Sequence, residues 1–223
     1  MDGCIIMTNE LSIIIPYRGD GGQRDRLLEV VKEQYNQYYP NSEIVISNDG
    51  YKDNEPFSRA EAINNGVKQS KGDILIISDA DVLIHKNYLD YCIQTINEKQ
   101  FIIPYNFIYY LNKRQTANYL RNKQLTPYTY HHHTIKTSKG LENPGGIQII
   151  TKELFNEIGQ YNLQFKGWGW EDREFAWRIF EKLGKIPVNC TGRMYHLWHV
   201  QALPSAVNER FYHNILKRQD LIK

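Results

Sequence analysis

The sequence predicts an α/β fold, an open and mostly parallel sheet flanked by helices, within a single domain over residues 1–223. Three observations carry this. Short β-branched runs (LSIIIPY, EIVIS and DILIIS) alternate with stretches of helical spacing, which is the pattern of successive βαβ units. Each run is nearly continuous in apolar residues, as strands covered on both faces are. Each stops at a turn-forming or acidic break, in PYRG, SNDG and SDAD.

In chain order, Leu11 to Tyr17 is the first strand, stopped by Pro16. The loop after it turns on Gly19, Gly21 and Gly22 into a helix with Leu27, Val30, Val31 and Tyr35 at helical intervals, ending before Pro40. Glu43 to Gly50 is a second strand with its turn, so the crossover between these parallel strands is right-handed. SRAEAINNGVKQSKG is a helix with Ala60, Ile63 and Val67 on one face, and DILIISDAD is a third strand. KNYLDYCIQTINE is another helix, and FIIPYNFIYYL a fourth strand. Residues 112–143 are polar and without clear period, a helix and a long loop of the kind that forms lids and binding loops. ENPGGIQIIT is a Gly-Gly turn into a short strand, followed by the helix KELFNEIG, the stretch FKGWGWED and a further helix. That helix buries Phe175, Ala176, Ile179, Phe180 and Leu183, with Trp177 packed beside Phe180. A last strand lies near IPVNCTGRMYHLWH, and no repeat or linker divides the chain.

Composition narrows the class. Hydrophobic residues make up 41% and charged residues 23%, enough to bury a core. Lys and Arg number 27 against 25 Asp and Glu, so no strong field argues for nucleic acid or membrane. No apolar run approaches the roughly 18 residues that span a bilayer, and the start MDGCIIMTNE lacks the build of a signal peptide. Cys4, Cys92 and Cys190 are odd in number and unpaired in spacing, which fits reduced thiols and a cytoplasmic setting.

Two segments point to metal chemistry. In SDAD, Asp79 and Asp81 stand two apart at a strand end, so both carboxylates face one side while Ala80 faces the other. Two like charges there call for a cation, and oxygen ligands beyond a strand's carboxyl end suit Mg²⁺ or Mn²⁺ with diphosphate oxygens completing the shell. A solvated turn with an acidic helix cap is the plainer explanation of a bare DxD. In RMYHLWHV, His196 and His199 share a face if helical and point apart if extended; an imidazole beside carboxylates favours Mn²⁺. The run His131, His132 and His133 reads as a solvated loop.

Taken together these residues resemble the nucleotide-sugar glycosyltransferases of the GT-A fold. IIIPYRGD, SNDG and SDAD look like that fold's donor-binding turn, second-strand acidic site and DxD. PYR, FSRAEAINNGV, GGIQIITKELFNEIGQYN and GWGWED are similar, in this order, to segments of the animal β-1,4-galactosyltransferases, the polypeptide N-acetylgalactosaminyltransferases and bacterial chondroitin-polymerase-type enzymes. The likeness runs from Leu11 to His199. It implies that Pro16, Tyr17 and Arg18 meet the nucleotide, that Asp49 contacts uracil and that Arg59 lies near the donor diphosphate. It implies that Asp79 faces the ribose side and joins Asp81 and His196 as metal ligand, with His199 the alternative histidine.

The same resemblance implies the chemistry of FKGWGWED. Inverting members carry an Asp directly after the Glu of a WGxGED-like motif, where retaining members carry Asn; here Glu171 is followed by Asp172. The expectation is inversion, with Asp172 as general base and Glu171 holding acceptor or sugar hydroxyls. Trp168, flanked by Gly167 and Gly169, is the aromatic placed to meet substrate. The expected cofactor is Mn²⁺ or Mg²⁺, the donor a UDP-sugar, and the acceptor a glycan, polysaccharide or other hydroxyl compound. A modified base in DNA is an alternative acceptor, which the basic stretch NKRQTANYLRNK and a pI near 8.3 allow. A sugar-nucleotide nucleotidyltransferase is an alternative from another class.

Overall fold

The computed structural model describes residues 10–51, 55–97, 100–125, 132–134, 144–184, 188–200 and 205–220. The chain opens with β1 (Leu11–Pro16), α1 (Gln23–Tyr38), β2 (Glu43–Ser47), α2 (Arg59–Gln69) and β3 (Ile74–Ser78). It continues through β4 (Val82–Ile84), α3 (Lys86–Thr95), β5 (Phe101–Ile103), β6 (Phe107–Tyr110), α4 (Lys113–Asn122) and β7 (His132–Thr134). The remaining elements are β8 (Ile147–Thr151), α5 (Lys152–Glu157), α6 (Glu171–Leu183), β9 (Val188–Asn189), β10 (Arg193–His196) and α7 (Ala206–Asp220).

Two sheets result. The first has the order β2-β1-β3-β8-β5-β9 and the second the order β4-β10-β6-β7. β1 pairs in parallel with β2 and β3, as consecutive βαβ units require. β8 then runs antiparallel to both β3 and β5, making the large sheet mixed. Ile13, Ile14 and Ile15 and the run Ile74 to Ile77 are all buried, because helices cover both faces there.

FIIPYNFIYYL does not form one strand. Pro104 supplies no N–H to a ladder, and the chain leaves the first sheet after β5 and enters the second as β6. The final region likewise divides into β9 in the large sheet and β10 in the small one. Within residues 112–143 the expected helix is α4, whose start is a capping box between Asn112 and Gln115. β7 pairs with β6 across His132 and His133, whereas His131 and the loop expected around it lie outside the described residues.

Cys92 and Cys190 are buried free thiols with Sγ atoms 3.0 Å apart, and Cys4 lies outside the described residues. Among the described residues no helix is long and apolar enough to cross a membrane.

The position of α2 fixes the start of the site, and it depends on Gly66. A Cβ added there would lie 2.4 Å from Ile14 Cγ2 and 2.6 Å from Ser47 Oγ, so α2 approaches β1 and β2 closely only because that atom is missing. Gly66→Ala is expected to lower stability by about 1–3 kcal/mol despite alanine's better helix propensity, read as a fall in the urea midpoint. An unchanged or higher midpoint would show that the interface yields.

Candidate active site

The site forms where the carboxyl end of β3, the start of β8 and the first turns of α2 and α6 converge. Arg59 opens α2 and is 5% exposed. Its Nε donates to Asp79 Oδ1 at 2.8 Å, and its Nη1 donates to Asp172 Oδ1 at 2.6 Å. Glu171 Oε1 stands 3.6 Å from the same Nη1. Burial opposes the charge on Arg59, but the carboxylates of Asp172 and Asp79 outweigh it and hold the pKa well above its ordinary value.

Asp172 is anchored through one oxygen. Besides Arg59, its Oδ1 accepts from Gln148 Nε2 at 3.0 Å and lies 2.9 Å from the Tyr161 hydroxyl. That hydroxyl is also 2.6 Å from Gln148 Oε1, while Gln148 Nε2 donates to the Pro144 carbonyl as well. Among the described residues Oδ2 receives no hydrogen bond, and Gly145 closes over it so tightly that a Cβ would lie 2.6 Å away. The result is a carboxylate fixed in orientation with one oxygen left open.

Glu171 behaves differently. It is 1% exposed and neither oxygen finds a partner among the described residues. Burial, reinforced by the charge of Asp172, pushes its pKa up to about 7. The backbone explains how two adjacent carboxyls enter the site. Gly167, Gly169 and Trp170 have φ of 77°, 105° and 77°, a left-handed winding that the glycines adopt freely. It delivers Glu171 and Asp172 into the first turn of α6, where the helix dipole favours negative charge. Trp168 is 45% exposed at this turn, and its carbonyl accepts from Ser205 N at 3.0 Å. Trp170 instead packs its ring 5.2 Å from Tyr212, with the Arg173 guanidinium 4.6 Å from its centroid.

A second cluster centres on Asp81, 4% exposed. His199 Nε2 is 3.1 Å from Asp81 Oδ2 and His196 Nε2 is 3.6 Å from Oδ1. One ligand-type atom from each of the three residues lies within 4.8 Å of the others. Burial works to raise the pKa of Asp81, but the His199 bond and the charges of His196, His199 and Arg24 prevail and hold it low. The bond to Asp81 in turn raises His199. Both histidines arrive because β10 ends at His196: residues 197–200 belong to no helix or strand, so neither the helical nor the strand rule applies. Leu197 N donates to Asp81 O at 2.8 Å, Trp198 N to Thr116 Oγ1 at 2.8 Å and Gln23 Nε2 to Trp198 O at 2.6 Å, which fix this loop over the acidic turn. Asp79 is turned to Arg59 and stands outside the three-residue cluster. Its pKa is raised, by burial above all and against the pull of Arg59.

The end of β1 forms the third part. Pro16 pairs with Ser47, and Tyr17 N donates to Ser47 O at 2.8 Å. The Tyr17 hydroxyl donates to Asp25, and burial together with that bond raises its pKa. Arg18 Nη2 donates to Asp49 Oδ2 at 2.7 Å and its Nη1 to the Glu55 carbonyl at 2.9 Å. Asp49 is 4% exposed, also accepts from Ser58 N at 2.7 Å, and has Oδ1 without a partner among the described residues.

Sequence reasoning missed Gln148, Tyr161 and Arg24. The signal for Gln148 was present: an amide inside the buried run IQII, where a polar side chain is retained only with partners. Tyr161 and Arg24 carried none. Of the basic stretch raised for DNA, Lys123 is bonded to Glu33 at 2.5 Å and Lys113 lies 5.3 Å from the Trp198 ring centroid, so both are engaged within the chain.

Two family models match the sequence, Glycosyl transferase family 2 over residues 54–159 and the N-terminal domain of galactosyltransferase over residues 131–200. Polypeptide N-acetylgalactosaminyltransferase 12 of Mus musculus is 22% identical over 61% of this chain and 27% of its own length. Polypeptide N-acetylgalactosaminyltransferase 4 of Caenorhabditis elegans is 32% identical over 31% of this chain and 12% of its own. The chain thus spans well under half the length of these relatives. Among solved structures, Drosophila β-1,4-galactosyltransferase 7 in complex with xylobiose superposes with a TM-score of 0.58 at 18% identity, over 92% of this chain and 79% of that one. GalNAc-T7 with UDP, GalNAc and Mn²⁺ gives a TM-score of 0.55 at 15% identity, over 94% and 48%. The chain therefore has the GT-A glycosyltransferase fold. Its sequence is similar to segments of the polypeptide N-acetylgalactosaminyltransferases and matches a galactosyltransferase domain model in part.

Glu171 supplies a pH-linked prediction. A carboxyl whose folded pKa is raised from 4.5 to about 7 binds its proton more tightly in the folded chain. Its stabilising share is therefore full below the lower value and lost as pH climbs through the upper one. Glu171→Gln removes that slope. From about pH 4 to about pH 8, urea unfolding is expected to shift in the variant's favour, relative to the unaltered chain, by up to about 3 kcal/mol. A pH-independent difference would place Glu171 in a wetter setting.

Proposed function

We propose that this chain is a metal-dependent, inverting glycosyltransferase that moves a sugar from a UDP-sugar to an acceptor hydroxyl on a glycan. The observation that carries the reading is the pairing of two arrangements. Arg59 joins Asp79, at the DxD turn, to Asp172, a carboxylate whose one oxygen is anchored and whose other is open. Beside it, Asp81, His196 and His199 converge as a ligand set. That the galactosyltransferase neighbour has been seen with manganese, UDP-Gal and xylobiose supports the donor, metal and acceptor classes.

The residues present fit a divalent ion. Asp81 is a buried carboxylate whose nearest partners are two imidazole nitrogens, a mixed oxygen and nitrogen set that suits Mn²⁺ better than Mg²⁺. When bound, the ion supplies Lewis-acid neutralisation of the charge that develops on the departing diphosphate. The chain's residues do the rest. Asp49 offers Oδ1, a buried acceptor without a partner, to a uracil N–H, while Arg18 braces the other oxygen. Pro16 and Tyr17 set the turn against which the nucleotide lies. Arg59 positions Asp79 on the ribose side and Asp172 on the acceptor side, and Trp168 presents an exposed indole to a sugar face.

In the transfer the acceptor oxygen attacks the anomeric carbon from the face opposite the diphosphate. Its proton passes to Asp172 Oδ2, and the bond from the anomeric carbon to the β-phosphate oxygen breaks to release UDP. Glu171, whose pKa burial raises to about 7, is the carboxyl that holds a sugar or acceptor hydroxyl.

Four measurements test the reading. A panel of UDP-sugars assayed for UDP release is expected to show turnover with Mn²⁺ that EDTA abolishes; absence of turnover with every donor overturns the reading. Asp172→Asn is expected to cut transfer by about 10²–10⁴-fold while UDP affinity holds, and equal losses in both would remove its role as base. NMR of the product is expected to show the anomeric configuration opposite to that of the donor; retention would overturn inversion. His196→Ala and His199→Ala are each expected to raise the half-saturating Mn²⁺ concentration at least about tenfold, and no shift in either variant would remove the cluster from metal binding.

A further inference from the structure

The second sheet has two faces, and the cluster at Asp81 uses one of them. Along β10 side chains alternate, so Met194 and His196 point one way and Arg193 and Tyr195 the other. Register places Tyr195 opposite Leu83 of β4 and Tyr109 of β6, and the Tyr109 and Tyr195 rings stack at 5.2 Å, which sets them on the same side. On this far side the strands, α1, α4 and the start of α3 enclose a groove of about 600 Å³, within the range of small-molecule sites.

The lining of that groove has a definite chemistry. On α1, Val30, Gln34 and Tyr38 form one stripe at four-residue spacing facing it. Gln34 is 8% exposed; its Oε1 accepts from Ile84 N at 3.0 Å, which fixes the amide, and its Nε2 has no partner among the described residues. A buried amide donor left unpaired costs about 1–3 kcal/mol, a cost that a ligand acceptor would remove. Tyr88, Tyr119 and Tyr195 also line the groove, and none of their hydroxyls makes a hydrogen bond among the described residues. Burial raises the pKa of Tyr119 and Tyr195, so both remain neutral phenols that donate as well as accept. Lys123 is paired with Glu33, one residue before Gln34 on α1, and the Arg193 guanidinium lines the groove beside Tyr195 as a planar donor. Aromatic faces beside a fixed amide, neutral hydroxyls and a guanidinium that donates to hydroxyl oxygens match a polyol with apolar C–H faces, and they do not match a metal ion or a lipid tail.

We propose that this groove is a non-catalytic binding site for a neutral oligosaccharide of two or three sugar units. Its role as a hold for a distant part of the acceptor rests on the glycosyltransferase reading above; its affinity for saccharide does not. Because it lies on the opposite face of β4, β10 and β6 from His196, binding there is independent of metal and nucleotide.

The experiment titrates the full chain with triacetylchitotriose, maltotriose and xylotriose by ligand-observed NMR, first in EDTA and then with saturating UDP and Mn²⁺. At least one trisaccharide is expected to bind in EDTA, with less than about a twofold change on adding UDP and Mn²⁺. Tyr119→Ala is expected to weaken it about tenfold, the scale of one lost aromatic contact, and Tyr119→Phe to keep most of the affinity. Asn87→Trp, at an exposed position on the rim, is expected to abolish binding by filling the mouth without disturbing the core, and it serves if Tyr119→Ala unfolds. The proposal is overturned if no trisaccharide binds up to about 10 mM, if EDTA or UDP with Mn²⁺ displaces it, or if both Tyr119→Ala and Asn87→Trp leave affinity unchanged. Saccharide binding mapped to the groove in a chain that turns over no UDP-sugar would sustain this site and sink the transferase reading. Turnover with an inert groove would do the reverse.

Discussion

Arg59 is a guanidinium buried at the first turn of α2 and surrounded by three acidic side chains, Asp79, Glu171 and Asp172. Glu171, 1% exposed, is the most deeply buried of the three, and a buried charge without a counter-charge costs several kcal/mol. Together they make a network in which each member fixes the next. Through Arg59 the loop after β3 is tied to the start of α6, elements separated by about half the chain, and the remaining polar groups are arranged around that link. Gly66 lets α2 lie close enough to the sheet for Arg59 to reach both partners.

The unequal treatment of neighbouring carboxyls follows from this network. Asp172 receives hydrogen bonds from Arg59 and Gln148 and a third contact from Tyr161 on one oxygen, so it is held as an oriented acceptor. Glu171, adjacent in sequence, is buried with Arg59 at ion-pair distance but no side-chain hydrogen bond among the described residues, and burial drives it toward its neutral form. Two acids side by side thereby meet different surroundings, one oriented by hydrogen bonds and the other held in a buried pocket that raises its pKa. At the other end of the DxD the same separation appears, with Asp79 committed to Arg59 and Asp81 to the two histidines.

Much of this was legible in the sequence. LSIIIPY and DILIIS became β1 and β3, apolar runs covered on both faces, and EIVIS became β2, an edge strand with Ile46 exposed. The ends of those strands carry Asp49, Asp79 and Asp81, as the position of ligands in open α/β sheets implies. The division of FIIPYNFIYYL between two sheets was less visible, although Pro104 is its physical cause. Gln148 was detectable as an amide in an apolar strand, but Tyr161 looked like any aromatic after a helix, since nothing local marks a hydroxyl that bonds a residue eleven positions away.

By itself the sequence determined β1, β2 and β3, the acidic turns at their ends, the glycine-flanked turn at Trp168 and the resemblance to GT-A glycosyltransferases, because each depends on local conformational preference or on motifs in order. Only the tertiary structure decided how those charges pair. Spacing left His196 and His199 on one face or on opposite faces, and the segment after β10, pinned by Leu197 N to Asp81 O, brings both to one carboxylate. Spacing likewise joined Asp79 to Asp81, and Arg59 draws it away. Electrostatic partners are chosen by distances of a few ångströms between segments far apart in the chain, and no periodicity in the sequence encodes those distances.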